Sequence, residues 1–263
     1  MSNSNNIFVK FKKMPVDGMP KTIIVATTLC FICSMVVSFA AVNLKSKQEV
    51  NKALDKQKNI LQVAGKYYEG VNIQKTFSSF EPLIVDLENG KFTNKFDPLV
   101  FDDKKASQDP LLSIGLKEDP ASIGRRANFV TIYLLKNNDG SLDKVILPVH
   151  GYGLWSTLYG FIALENNLND IFGLQFYQHA ETPGLGAEVD NPKWKAQWKG
   201  KKLNNENGDL MIQVAKTSKE KEYHIDALAG ATLTSNGVNN LVKFWMGQSG
   251  FKKFLKNLKN GEA

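Results

Sequence analysis

Three glycine-rich segments, each following a strand-like run, contain most of the residues that could hold a ligand. They are residues 148–159 (PVHGYGLWSTLY), 179–188 (HAETPGLGAE) and 226–237 (DALAGATLTSNG). The third segment offers the hydroxyls of Thr232 and Thr234 beside a predicted helix start, with Ser235 or Asn236 as the expected cap. A phosphate group held there would meet unpaired backbone N–H groups and the positive end of the helix dipole.

The first two segments could hold the planar part of such a ligand. The first carries Tyr152, Trp155 and Tyr159, aromatic side chains that can flank a ring. The second carries a Thr-Pro-Gly turn at residues 182–184, and its glycine lets a ligand approach the backbone closely. Ordinary core packing and an ordinary turn are the alternatives. The residues alone therefore predict loops suited to an anionic planar ligand and leave these alternatives open.

Several other chemistries lack their characteristic residues. The three histidines are too scattered for a metal site, and the phosphate-binding, dinucleotide and nucleophile-elbow motifs are missing from the sequence. Both cysteines, Cys30 and Cys33, lie in one apolar run, so the rest of the chain can form neither a disulfide nor a thiolate-held iron–sulfur cluster. We read the pair as helix packing, with a ligand role completed by another subunit as the alternative. No metal site and no catalytic acid or base is predicted.

An apolar run near the N-terminus predicts a membrane anchor. Residues 22–44 contain no charged side chain, and a helix of this length reaches about 35 Å, enough to cross a hydrocarbon core of about 30 Å. A cleaved signal peptide ending at Ala40 is the alternative. Lysines flank the run on both sides, so the positive-inside rule does not decide its orientation. The short basic N-terminus favours an outside location for the C-terminal part.

The charge of the chain does not indicate nucleic-acid binding. Of the formal net charge of +7, four lysines and one aspartate give +3 to residues 1–44, which leaves +4 for the remainder. The sequence shows no basic face with interleaved aromatic residues, which a groove that binds a nucleic-acid backbone needs.

The remaining pattern predicts an α+β domain built on an antiparallel sheet flanked by helices. Strand-like runs at residues 129–135, 144–149, 160–165, 171–178 and 210–215 precede two amphipathic helices at the C-terminal end. Residues 66–127 have no sustained period and are predicted to be rich in loops. The predicted organisation is a short N-terminal tail at 1–21, a transmembrane helix at 22–44, a juxtamembrane helix at 45–65 and one domain at 66–263.

Two motifs resemble those of FMN-binding domains. Residues 226–232 (DALAGAT) resemble the flavinylation motif Asp-x-x-Ser/Thr-Gly-Ala-Ser/Thr, whose last position is the acceptor, and residues 181–186 (ETPGLG) resemble the second hallmark of these domains. The likeness extends to the N-terminal span and to residues 51–57, 145–155 and 233–238. As a whole the chain resembles the C subunits of bacterial sodium-translocating NADH:quinone oxidoreductases. Flavin subunits of ion-translocating ferredoxin:NAD oxidoreductases are the alternative family, and a non-redox anchored binding module is the alternative of another class.

The resemblance implies FMN joined to Thr232 by a phosphodiester that a flavin transferase makes. The further cofactor contacts that it implies are Leu154, Trp155, Ser156, Glu181, Thr182, Gly184, Leu185, Gly186, Asp226, Gly230, Ala231, Leu233 and Thr234. At position 229 the chain has Ala where the motif has Ser or Thr. This departure removes a hydroxyl that the motif has and keeps the acceptor.

The resemblance also implies a place in a larger assembly. The chain would be a subunit of a sodium-pumping NADH:ubiquinone oxidoreductase of the bacterial inner membrane, with its large domain in the periplasm. It would pass electrons between an iron–sulfur centre and another covalently held flavin, and its partners would be the other membrane and soluble subunits of the complex.

Overall fold

The computed structural model describes residues 7–16 and 18–263, which fold as two compact units that divide between Ala53 and Leu54. Part of the predicted tail, residues 1–6 and 17, lies outside the described residues. The first unit contains a short helix, α1 (Ile7–Lys13), and most of α2 (Met19–Val63). The predicted transmembrane and juxtamembrane helices are thus parts of one continuous helix of 45 residues.

The apolar part of α2 fits the predicted membrane span. In the described part of the chain, α2 is the helix that is long and apolar enough to cross a membrane, and its most apolar stretch is not buried by protein. Such an apolar surface, uncovered along its whole length, is expected of a helix that contacts lipid.

A six-stranded sheet forms the centre of the second unit. The strands follow the order β2-β1-β5-β6-β7-β8, and all neighbours are antiparallel. The sequence predicted the antiparallel pairing. Their bounds are β1 (Phe80–Asp86), β2 (Lys91–Thr93), β5 (Phe129–Lys136), β6 (Leu142–Tyr152), β7 (Thr157–Glu165) and β8 (Ile171–Gln178). Two small sheets pair β3 (Ser113–Gly115) with β4 (Arg125–Ala127), and β9 (Gln213–Ala215) with β10 (His224–Asp226).

Helices cover both faces of the large sheet. The remaining helices are α3 (Ile73–Phe77), α4 (Asp103–Gln108), α5 (Pro192–Ala196), α6 (Thr232–Met246) and α7 (Lys252–Asn260). Because alternate side chains of a strand point to opposite faces, Leu147 of β6 packs in the core beneath α6 and α7, whereas Ile146 packs in a second core. The second core includes Ile60 and Leu61 from the end of α2, both fully buried.

Two sequence predictions need correction. Residues 66–127 are rich in loops, as predicted, but they also include an unpredicted strand of the main sheet, β1, which pairs with β5 along seven residues. Glu81 and Pro82 interrupt the apolar pattern of this strand, which is why pairing across the sheet, and not local sequence, determines it. The domain also begins earlier than residue 66, since the compact unit starts at Leu54 and uses the end of α2 to cover a sheet face.

His150 links the sheet to α6 and has an unusual protonation equilibrium. Its ring stacks on Tyr159 with centroids 5.4 Å apart, and its carbonyl accepts a hydrogen bond of 2.7 Å from Trp245 Nε1. Burial, with a smaller contribution from nearby Lys104, lowers the pKa of His150 to about 4, while Asp103 and Asp119 oppose the shift.

This shift predicts a loss of stability in mild acid. With a pKa lower in the folded than in the unfolded chain, neutral His150 contributes stability that is fully present above pH 6.5 and is lost as pH falls toward 4. One such group changes the unfolding free energy by at most about 1.4 kcal/mol per pH unit. We expect the unfolding free energy, measured with urea, to fall less between pH 7.5 and pH 5 in His150→Phe than in the wild type. Phenylalanine keeps the aromatic contacts but cannot be protonated. An equal drop in both proteins would contradict this account.

Candidate functional site

The three glycine-rich segments meet at one end of the large sheet. The first is the turn between β6 and β7, the second follows β8, and the third joins β10 to α6. Because β6, β7 and β8 are neighbours, the end of β6 and the end of β8 lie at the same edge of the sheet. Helix α6 packs on β6 and brings the third segment to this edge.

The carboxylate of Glu181 joins all three segments. Its Oε1 accepts backbone hydrogen bonds from Leu154, Trp155 and Ser156 at 3.1, 3.0 and 3.3 Å. Its Oε2 accepts a bond of 2.6 Å from the hydroxyl of Thr234. The side chain is only 5% exposed. These hydrogen bonds position the three segments relative to one another, and the predicted cofactor contact of Glu181 stays a prediction.

Glu181 is held in its charged form. Burial by itself raises the pKa of the carboxyl group, but the hydrogen bonds from Thr234 and from the three backbone N–H groups outweigh burial and lower the pKa overall. A buried carboxylate with several donors is expected to be ionised for this reason. The charge therefore strengthens each of these hydrogen bonds.

Glycines allow the segments to pack this closely. A Cβ on Gly153 would lie 2.7 Å from Glu181 Oε1, and one on Gly186 would lie 2.6 Å from Thr234 Oγ1. Within α6, a Cβ on Gly237 would lie 2.4 Å from the carbonyl oxygen of Tyr152. Real Cβ atoms do not approach so closely, so any other residue at these positions would push the segments apart.

The first and second segments share a further hydrogen bond. The hydroxyl of Ser156 accepts a bond of 2.7 Å from the backbone N–H of Ala180. Beside it, Nδ1 of His179 accepts from the N–H of Glu181, and Nε2 lies 2.8 Å from Asp190. These hydrogen bonds therefore hold the start of the second segment in place next to the first segment and to Asp190.

Thr232 is the first residue of α6, so the helix begins earlier than the sequence predicted. The expected cap at Ser235 or Asn236 is wrong, because Ser235 Oγ accepts from Leu228 N and donates to Ala231 O, both at 2.9 Å. Helix geometry leaves the backbone N–H groups of the first turn, beginning with Thr232, without intrahelical acceptors. Thr232 itself is exposed, so its hydroxyl stands at the positive end of the helix dipole.

Exposed apolar side chains from all three segments surround this helix start. Leu154 and Trp155 come from the first segment, Leu185 from the second and Leu233 from the third; Trp155 is 64% exposed and Leu233 57% exposed. A Cβ on Gly230, where φ is +73°, would lie 3.2 Å from the Leu185 side chain, so the second and third segments are in contact. Exposed apolar side chains from several neighbouring loops indicate a candidate binding site. Apolar groups beside a helix N-terminus suit a planar ring that carries a phosphate.

Two of the predicted contacts have other roles in the structure. The carboxylate of Asp226 bonds His224 Nε2 at 3.0 Å, and its backbone is held by Gln197 and by Trp194 Nε1. The carbonyl of Thr182 accepts two backbone hydrogen bonds that close the turn ending at Ala187. Both residues therefore help to order the loops, and their predicted cofactor contacts stay predictions.

Four predicted contacts have backbone roles, and Ala229 is exposed to solvent. Gly184 and Gly230 have positive φ angles, Ala231 precedes the helix and Gly186 meets Thr234. Because Ala229 is exposed, the hydroxyl that the motif has there is not needed for packing in this chain.

Three residues that sequence reasoning missed help to build the site. Gly153 and Gly237 permit close packing, and Trp194 donates a bond of 2.8 Å to the carbonyl of Asp226. A glycine in an otherwise amphipathic helix, as at Gly237, was an available signal of close backbone approach. Trp194 gave no such signal, because its partner lies 32 positions away in the sequence.

Comparisons with known proteins agree with this geometry. Residues 153–247, which include the second part of the first segment and all of the other two, match the FMN-binding domain family. Among the C subunits of Na(+)-translocating NADH-quinone reductases, the protein from Pseudomonas aeruginosa is 50% identical over 94% of this chain and 98% of its own length. The protein of the same name from Yersinia pestis is 44% identical over 93% of this chain and 95% of its own length.

A solved structure extends the likeness to the fold. The crystal structure of Shewanella oneidensis NqrC has a TM-score of 0.75 and 34% sequence identity, covering 80% of this chain and 99% of that chain. Sequence identity over almost the full length, the matching domain and the shared fold lead to one assignment. This chain belongs to the family of the C subunits of Na(+)-translocating NADH-quinone reductases.

Proposed function

We propose that this chain holds FMN through a phosphodiester to the hydroxyl of Thr232 and serves as an electron-carrying subunit of a membrane sodium-pumping NADH:ubiquinone oxidoreductase. The observation that carries the proposal is the position of Thr232, exposed at the first residue of α6 and surrounded by exposed apolar side chains. An acceptor hydroxyl must be accessible to the flavin transferase that modifies it, and Thr232 meets this requirement.

The helix start suits the phosphodiester. This link keeps one negative charge, and an anion at a helix N-terminus is stabilised by up to about 1 kcal/mol at an exposed site. Backbone N–H groups of the first turn, including those of Leu233 and Thr234, are available as donors because the helix supplies them with no acceptor. The chain thus binds the phosphate mainly with its backbone.

The apolar side chains suit the ring. Trp155 and Leu185 come from loops that Glu181 fixes, so they offer the ring a surface whose backbone is already ordered. When bound, the flavin supplies the electron transfer, and the protein orients it and adjusts its environment. No residue of the chain needs to act as a catalytic acid or base.

The family supports the wider role. The relatives are named as subunits of a Na(+)-translocating NADH-quinone reductase, and α2 carries the apolar stretch of a membrane anchor. We place the chain in the inner membrane with its large domain in the periplasm. There it relays electrons between an iron–sulfur centre and another flavin-carrying subunit, while sodium transport takes place elsewhere in the complex.

The covalent link is tested by changing the acceptor. We expect Thr232→Val to abolish the flavin fluorescence of the denatured protein in a gel and to reduce the intact mass by one FMN group, because valine has no oxygen to bond. Thr232→Ser keeps an oxygen at the same position and should retain a covalent flavin. Fluorescence persisting in Thr232→Val would refute the assignment.

Thr234→Val is the matched control, with the same substitution two residues away. Its hydroxyl donates to Glu181 and is buried, so it is not an acceptor. This variant should keep the covalent flavin but show a changed flavin spectrum, because one hydrogen bond to the positioning carboxylate is lost. If Thr234→Val lost the covalent flavin and Thr232→Val kept it, the attachment point would be Thr234 instead.

The role of Glu181 is tested separately from the covalent link. Glu181→Ala removes the acceptor of four hydrogen bonds, and bonds to charged groups contribute about 1.5–3 kcal/mol each. We expect the unfolding free energy to fall by at least about 3 kcal/mol and the flavin spectrum to shift, because the loops that carry Leu154 and Trp155 are released.

Glu188→Ala provides the comparison, since Glu188 lies in the same segment and bonds only Asn191 among the contacts described for its side chain. It should lower the unfolding free energy by about 1.5 kcal/mol or less, because only one hydrogen bond of a half-buried carboxylate is lost, and leave the spectrum unchanged. Equal effects of the two substitutions would contradict a special role for Glu181.

A further inference from the structure

We propose that the groove between α1 and the start of α2 binds one anionic phospholipid, with an acyl chain along α2 and the headgroup at Lys10. The proposal goes beyond the flavin chemistry and rests only on the membrane insertion of α2. The groove lies entirely within the N-terminal unit, and none of the residues around Thr232 lines it.

The groove has the shape and lining that an acyl chain needs. It has a volume of about 570 Å³, within the range of small-molecule sites. Its walls are Lys10, Phe11 and Met14 from the α1 side and Ile24, Val25, Thr28, Leu29 and Ile32 from α2. The α2 residues recur at intervals of three and four and so form one stripe, which spans about 12 Å along the helix axis.

The α1 wall is attached to α2 by specific contacts. Lys21 Nζ donates a hydrogen bond of 3.1 Å to the carbonyl of Met14 and lies 5.5 Å from the ring centroid of Phe11. Gly18 donates to the carbonyl of Pro15 at 3.1 Å, which closes the turn between the helices. These contacts hold α1 against the first turns of α2, so the groove is a built feature of the fold.

The charges at the groove select an anionic headgroup. Residues 1–44 carry four lysines and one acidic residue, Asp17, so the sequence that contains the groove has a net positive charge. Lys10 is the charged residue in the lining and is exposed, so its ammonium group can meet a phosphate while its stem follows the apolar wall. Lysines close to an apolar segment attract anionic lipids in this way. An acyl chain with a negative headgroup therefore matches both parts of the groove.

The experiment uses the full-length chain reconstituted in nanodiscs of equal parts phosphatidylglycerol and phosphatidylcholine, followed by native mass spectrometry of the lipids that remain bound. The wild-type chain should retain phosphatidylglycerol in preference to phosphatidylcholine. Lys10→Gln should reduce that preference by about fivefold, as expected for one lysine near a lipid phosphate. Thr28→Trp, which fills the groove, should reduce the amount of either lipid retained.

Each variant has a matched control beside it. Lys13→Gln makes the same charge change on α1, and Thr27→Trp makes the same size change on α2, but neither residue lines the groove. Both controls should bind lipid as the wild type does. Equal losses within either pair, or no preference in the wild type, would overturn the proposal. Incorporation into nanodiscs of phosphatidylcholine alone separates this result from a failure of membrane insertion.

Discussion

The buried carboxylate of Glu181 is the interaction on which the site depends. Three loops that are far apart in the sequence leave the same edge of the sheet, and loops of this kind are mobile unless something joins them. Glu181 joins them by accepting hydrogen bonds from the β6–β7 turn and from Thr234 of α6. Because several donors share one charge, the carboxylate stays ionised despite its burial, and the apolar side chains of the loops remain exposed around it.

Helix α6 couples this site to the core of the domain. Its first residue is Thr232, Gly237 lets its middle approach the backbone of Tyr152, and Trp245 near its end bonds the carbonyl of His150. The apolar face of the helix is buried against the sheet over the same length. A helix fixed along its length keeps its N-terminus in one place, and that N-terminus is the proposed phosphate site.

Sequence patterns predicted those parts of this structure that depend on local order. The antiparallel strands from Phe129 to Gln178 and the amphipathic helices were predictable because alternation and helical periodicity reflect which face is buried. Strand β1 was not, since Glu81 and Pro82 break its pattern and only pairing with β5 defines it. The role of Glu181 was also beyond reach, because the partners of its carboxylate lie 25 to 53 positions away in the sequence.

The openness of the site and the proposed covalent link explain each other. Sites that retain a ligand without a bond bury about 70–90% of its surface, whereas the apolar groups near Thr232 form an exposed surface, with Trp155 64% exposed. A bond to Thr232 removes the need for burial, since the cofactor cannot diffuse away even when one face is open. An exposed ring can then approach the cofactor of a neighbouring protein in the complex, which a deeply buried ring could not do. The same exposure would leave the proposed acceptor hydroxyl accessible to a flavin transferase, so one shallow site suits both the proposed modification and the proposed electron transfer.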